Sequence, residues 1–246
     1  MSNYRSSPLD NIPPVVKNLL IINVIFFIAT LVIKRGGDYL LVDYFGVYYF
    51  NSPKFKIWQP ISYMFMHSPV NYAHILFNMF ALYSLGSAIE MVLGSKRFLN
   101  FYLLTGLGAL ALQMAIQAFE VYSVTGGITI RGDVLTYIQT LGTTNEAGAI
   151  KLAEIYYGPM LGASGAIFGI LIAFGMLFPN AELFIMLIPI PVKAKYIMPV
   201  YVLVELFLGV AQFSGDSVAH FAHLGGALFG FILIKLWGIR RPGGFL

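Results

Sequence analysis

Residues 162–169 read Gly162-Ala163-Ser164-Gly165-Ala166-Ile167-Phe168-Gly169, and the apolar character continues from there to Phe178. A serine thus opens an apolar helix, with small residues on either side of it. In a membrane helix such residues mostly serve packing, because backbones approach closely where side chains are absent. The first turn of a helix also presents unpaired N–H groups and the positive end of the dipole, which favour a developing negative charge. On this fragment alone two readings stand, a packing surface and a nucleophile beside an oxyanion site. It is not the Gly-x-Ser-x-Gly elbow of soluble hydrolases, which needs a strand-turn-helix setting that this sequence lacks.

Two other apolar segments carry polar clusters. Ala222-His223-Leu224-Gly225-Gly226 continues to Gly230; His223, Gly226 and Gly230 sit at offsets of three and seven and share one helix face. If that face approaches the Gly165/Gly169 groove, the His223 imidazole comes within reach of the Ser164 hydroxyl, as a general base must. His74 and Asn78 lie four apart on another segment and stack on one face. As neutral donors they suit either an oxyanion or an interhelical hydrogen bond.

Composition defines the class. The 246 residues are 58% hydrophobic and 11% charged, against about a quarter charged in soluble domains, and the mean hydropathy is +0.78. An integral all-α membrane protein follows. Aromatic residues at 15% and 25 glycines agree, as interface anchors and helix contacts. A net charge of +4 is too modest to indicate a nucleic-acid partner, and with no cysteine, thiolate catalysis and Cys-ligated metals are excluded.

Crossing the hydrocarbon takes about 20 apolar residues. Six segments are predicted to do so, at about 15–34, 72–93, 98–119, 162–178, 197–214 and 219–238. The domain expected is therefore 15–238, between an N-terminal segment 1–14 and a tail 239–246, with the first span uncleaved. Leu183 to Ile190 is apolar but broken by Pro189 and Pro191, and is predicted to turn at the interface or extend a neighbour. Arg5, Lys17, Lys96, Arg97, Lys193, Lys195, Lys235, Arg240 and Arg241 collect on the side of the termini, so the termini are expected to be cytoplasmic; the membrane expected is that of a bacterial cell. Of the two long outer loops, Arg35 to Asn71 is rich in aromatics and expected to lie partly in the membrane, whereas the insert 121–160 has a Thr/Ile/Gly-rich start and a helical stretch at Asn145 to Tyr157.

The remaining ionisable groups have plainer expectations. His220 is predicted to be interfacial, and His67 to meet solvent or hydrogen-bond within its loop. Glu205 is an isolated acid within a span, a functional group by default or a bridge between helices. Asp216 is expected in the outer loop, so that no carboxylate obviously orients His223 and a Ser164–His223 dyad is expected rather than a triad. No His-Glu-x-x-His pattern or acidic ligand set accompanies the histidines, so no metal and no cofactor is expected.

Together these residues resemble the rhomboid family of intramembrane serine proteases. Three motifs in order carry the resemblance: His74-x-x-x-Asn78, Gly162-x-Ser164-Gly165, and Ala222-His223-x-x-Gly226-x-x-x-Gly230. It implies a six-transmembrane-helix rhomboid fold with a membrane-embedded first outer loop. It also implies Ser164 as nucleophile, His223 as base, and an oxyanion hole of His74, Asn78 and the Ser164 backbone N–H. Gly162, Phe168, Gly226 and Gly230 are supporting positions, Phe168 being the aromatic that packs on the imidazole. Glu90 with Gly94 and Ser95 resembles the family's acidic turn at the inner end of span two. Trp58-Gln59 departs from it, standing where many members have Trp-Arg. The expected activity is cleavage of transmembrane segments of membrane proteins, within the lipid bilayer, near its outer face. Its rivals are a non-catalytic binder of membrane segments and a small transporter.

Overall fold

Consecutive prolines start the first helix. Pro14 occupies its first turn, where an amide hydrogen would have no helical partner, and the free N–H groups of Val15 and Val16 are taken by the two carboxylate oxygens of Glu90, at 3.0 and 2.7 Å. Ser95 Oγ donates to the same carboxylate at 2.7 Å. Glu90 is buried, and one side chain thus caps α1 (Pro14–Val32) and pins the turn between α5 (Ser87–Leu93) and α6 (Ser95–Thr125). That turn hinges on Gly94, whose φ of 75° suits glycine.

The computed structural model describes residues 11–184, 191–211 and 218–242. After α1 come a short β1–β2 hairpin (Lys34–Arg35, Asp38–Tyr39), α2 (Leu40–Phe45), α3 (Gln59–Ser62) and a 3₁₀ turn at Tyr63–Phe65. α4 (Tyr72–Ala81) runs through a π-helical turn, Leu82–Gly86, into α5. α6 leads to α7 (Val134–Gly142) and α8 (Glu146–Tyr157). α9 (Ser164–Leu177) is followed by an antiparallel pair of strands, β3 (Glu182–Phe184) and β4 (Pro191–Lys193), then α10 (Ala194–Ala211) and α11 (His220–Leu236).

Among the described residues, four helical stretches are long and apolar enough to cross a membrane: α1, the continuous Tyr72–Leu93, α6 and α10. α9 and α11 are equally apolar but shorter, at 14 and 17 residues, about 21 and 25 Å long against a hydrocarbon core of about 30 Å. These two pack on each other and on α6 at the centre of the molecule, with α10 outside them. The outward faces carry Ile21, Ile25 and Ile28 on α1 and Leu203, Phe207 and Val210 on α10, all exposed, as lipid-facing surfaces require.

Several element ends differ from those predicted. α6 starts three residues early and continues to Thr125, because hydropathy marks where the chain leaves the apolar layer while the helix persists until Gly126 adopts a left-handed φ of 75°. α9 starts at Ser164 because Gly162, at φ 129°, cannot be helical. α10 starts at Ala194 and carries Pro199 within it, at the loss of one backbone hydrogen bond. Residues 212–214 of that predicted span, Asp216, and most of the Leu183 to Ile190 segment lie outside the described residues.

The insert forms a lobe with the first outer loop. Asp133 caps α7 by accepting from Thr136 N at 2.9 Å, and Asn145 caps α8 from Gly148 N at 2.9 Å. Val47 and Met160 exchange backbone hydrogen bonds of 3.0 and 2.8 Å. Asn51 Oδ1 accepts from Ile130 N (2.8 Å) and Tyr156 Oη (2.9 Å), over a small core of Tyr49, Val121, Val134, Ile138, Leu152 and Tyr156. Gln59 is fully buried below this lobe. Its amide accepts from Lys56 N at 2.9 Å and donates to Lys54 O at 3.2 Å, so a neutral side chain braces the loop where an arginine was missed.

Candidate active site

Glycine decides how close α9 and α11 come. A Cβ placed on Gly226 would overlap the carbonyl oxygen of Gly165, and one on Gly230 would lie 2.6 Å from that of Gly169. A third contact joins α11 to α6, where a Cβ on Gly225 would stand 2.8 Å from Gly108 O. The two backbones therefore touch, and the first turns of α9 and α11 face each other. Across that gap the structure brings His223 Nε2 to 2.9 Å from Ser164 Oγ. The Phe168 ring, one turn along α9, stacks flat on the imidazole, with centroids 4.2 Å apart and planes 8° from parallel.

His74 approaches Ser164 from α4. Gly162 leaves room for it twice over: its φ of 129° excludes other residues, and a Cβ there would stand 2.8 Å from His74 Nε2 and 3.5 Å from Ser164 Oγ. The Ser68 backbone N–H points to His74 Nδ1 at 3.4 Å. Nδ1 is then the acceptor, the proton sits on Nε2, and an N–H donor faces the space beside the serine. Asn78, one turn on, is buried with no hydrogen-bond partner for its Nδ2 among the described residues. A buried donor left unmade costs about 1–3 kcal/mol, so the Asn78 amide has hydrogen-bonding capacity to spare. α9 has no side-chain cap, so its first N–H groups are available too.

Two histidines depart from their expected surroundings, and Glu205 supplies His223 with a carboxylate that was not expected. His220 is not interfacial: it is buried, with Nδ1 2.7 Å from Glu205 Oε2. The offset of three that puts His220 on the His223 face of α11 also turns it inward. Glu205 Oε2 lies 2.9 Å from His223 Nδ1 as well, so a carboxylate does reach the imidazole, and from a neighbouring helix. An isolated acid in one span and two histidines three apart in the next were the signals available for this contact. His67 does not meet solvent. It is fully buried, its ring centroid 5.0 Å from that of His74. Neither ring nitrogen has a hydrogen-bond partner among the described residues; the Phe65 backbone lies close but off hydrogen-bond geometry. Burial, and then the neighbouring His74, hold His67 down to about 3, so it packs against His74 as a neutral ring.

Glu205, His220 and His223 also form a group of possible metal ligands among the described residues. Their atoms converge on the carboxylate oxygen itself and not on a space between them, which is the pattern of a hydrogen-bonded network.

Known proteins are similar to this chain in sequence. A family profile described as the rhomboid domain matches residues 54–240. The chain belongs to the rhomboid family. Among curated rhomboids, it is similar to an uncharacterised mitochondrial rhomboid protein of Schizosaccharomyces pombe, with 29% identity over 78% of this chain and 54% of that protein. It is similar to the mitochondrial presenilin-associated rhomboid-like protein of Bos taurus, at 28% over 79% of this chain and 44% of that one. Mitochondrial rhomboid protein 1 of Saccharomyces cerevisiae matches at 28%, over 64% and 36%. The matches thus span about half or less of the length of these relatives. All three rhomboids are named as mitochondrial, which corrects the bacterial cell membrane and cytoplasmic termini expected from the charges. Lysine and arginine bias reports which side of a membrane a loop occupies; it carries nothing about which membrane that is.

Proposed function

We propose that this rhomboid is an intramembrane serine endopeptidase, a six-span protein of a mitochondrial membrane that hydrolyses a peptide bond in the transmembrane segment of another protein. The observation that carries the reading is the 2.9 Å contact of His223 Nε2 with Ser164 Oγ, under the stacked Phe168 ring.

In this reading His223 takes the hydroxyl proton as Ser164 Oγ attacks the substrate carbonyl carbon. The carbonyl oxygen becomes an oxyanion, received by the Nε2–H of His74, the Nδ2–H of Asn78 and the backbone N–H of Ser164. His223 then protonates the departing amine, leaving an ester on Ser164. A water molecule, deprotonated by the same imidazole, cleaves that ester and restores the hydroxyl. No cofactor enters these steps. The shortness of α9 supports an intramembrane site. Its roughly 21 Å leave about 9 Å of the hydrocarbon uncrossed, so at least one of its ends is recessed, and Ser164 stands at one of them. Polar groups at that depth are tolerated where they line a water-filled cavity.

The test is cleavage of a transmembrane peptide by the detergent-solubilised protein, together with labelling by a fluorophosphonate. Ser164→Ala should remove both activities and His223→Ala should reduce them to background, with thermal stability kept. Cleavage surviving in both variants would sink the proposal, and a wild-type protein that binds the peptide without cleaving it would favour the non-catalytic binder.

A further inference from the structure

Glu205 is the one carboxylate of α10, and its side chain is 12% exposed on a helix whose neighbouring side chains mostly face lipid. Burying such a charge costs several kcal/mol unless it is well paired. A serine and a histidine can exchange a proton without it. Its placement is nonetheless specific: one oxygen, Oε2, meets His220 Nδ1 at 2.7 Å and His223 Nδ1 at 2.9 Å, and the opposite nitrogen of His223 meets Ser164.

A carboxylate oxygen accepts only, so this contact puts the His223 proton on Nδ1 and leaves the Nε2 lone pair directed at the serine hydroxyl. When His223 takes the serine proton, the new imidazolium lies one hydrogen bond from a negative charge. Glu205 restrains the ring at its edge and Phe168 on its face, so it neither flips nor tilts. His220, bonded to the same oxygen, holds the carboxylate in that rotamer.

Taking the hydrolytic reading above as its basis, we propose that Glu205 is a positioning residue for His223, with His220 as its anchor, so that this rhomboid works through a Ser164–His223–Glu205 triad drawn from α9, α11 and α10. The proton travels from Ser164 Oγ to His223 Nε2 and on to the leaving amine; Glu205 stays ionised throughout and only accepts hydrogen bonds.

The experiment measures peptide cleavage and the rate of fluorophosphonate acylation of Ser164 in the full chain. A wild type that neither cleaves nor labels would fail the hydrolytic reading itself, before the triad is in question. In an active wild type, Glu205→Gln should lower kcat by up to about 10⁴-fold, the size of the loss when the acid is removed from other triads, slow acylation in parallel, and leave KM within about threefold. Glu205→Asp should recover part of the loss, and His220→Ala should reduce kcat by a smaller factor. A folded Glu205→Gln protein with wild-type kcat and acylation overturns the proposal. Should the variants fail to fold, nitrogen-15 shifts of the wild-type imidazoles decide: His223 protonated on Nδ1 supports the triad, and His223 protonated on Nε2 overturns it.

Discussion

The α9–α11 interface and the outer lobe each hold together segments far apart in sequence, and they do so by opposite means. Between α9 and α11, side chains are removed: Gly165 meets Gly226 and Gly169 meets Gly230, backbone on backbone. In the lobe, side chains do the holding, with Tyr49 and Tyr156 edge to face at 5.3 Å and Asn51 bridging two segments. Lipid is as apolar as leucine, so helices within it associate by close contact, which glycine maximises. In the lobe, buried aromatic area and satisfied polar groups supply the stability. Only the first arrangement sets a distance tightly enough to matter for chemistry, since Ser164 and His223 hang directly from the two touching backbones.

Gly226→Val is the most severe way to break this contrast. Its side chain overlaps the Gly165 carbonyl and should cost at least about 3 kcal/mol or separate the helices, abolishing acylation of Ser164 and lowering the thermal midpoint; a stable, active variant would refute the role given to the interface. Asn78→Ala separates chemistry from packing on the same side of the molecule. Because its Nδ2 is unpaired, stability should fall by less than about 1 kcal/mol, while kcat drops by about 10²–10³-fold through the lost donor. A large stability loss with unchanged kcat would return Asn78 to a helix-bridging role. Tyr156→Phe tests the lobe: losing the hydroxyl bonded to Asn51 should cost about 1 kcal/mol in stability and leave peptide cleavage within twofold. A cleavage defect as large as that of Asn78→Ala would mean that the lobe also sets site geometry.

What could be read from the sequence follows the same division. Gly165, Gly169, Gly226 and Gly230 are spaced by the helical period, so a close α9–α11 approach could be written down, and the reach of His223 to Ser164 with it. The Glu205 contact could not, because the rotation of α10 about its own axis is set by side-chain packing for which no periodic small-residue code exists. His220 was misjudged for the same reason, its partner being on that helix. In the lobe, α7 is a nine-residue helix whose buried Val134 and Ile138 join a cluster of residues far away in sequence, Tyr49 and Leu152 among them, too little for periodicity to announce. Lys17 and its basic neighbours spoke for sidedness and were silent on the compartment.

The π-helical turn Leu82–Gly86 acts as a phase shifter in the long Tyr72–Leu93 helix. Each residue advances an α-helix by about 100°, and a π turn accommodates one more residue per turn than the helix around it. The azimuth of His74 and Asn78 is thereby uncoupled from that of Glu90, and one rod serves two unrelated clients, the surroundings of Ser164 at one end and the start of α1 at the other. Forcing this turn into the ordinary winding at unchanged length would turn one end by about 100° against the other. The helix would remain intact, but its two ends could no longer both face their partners.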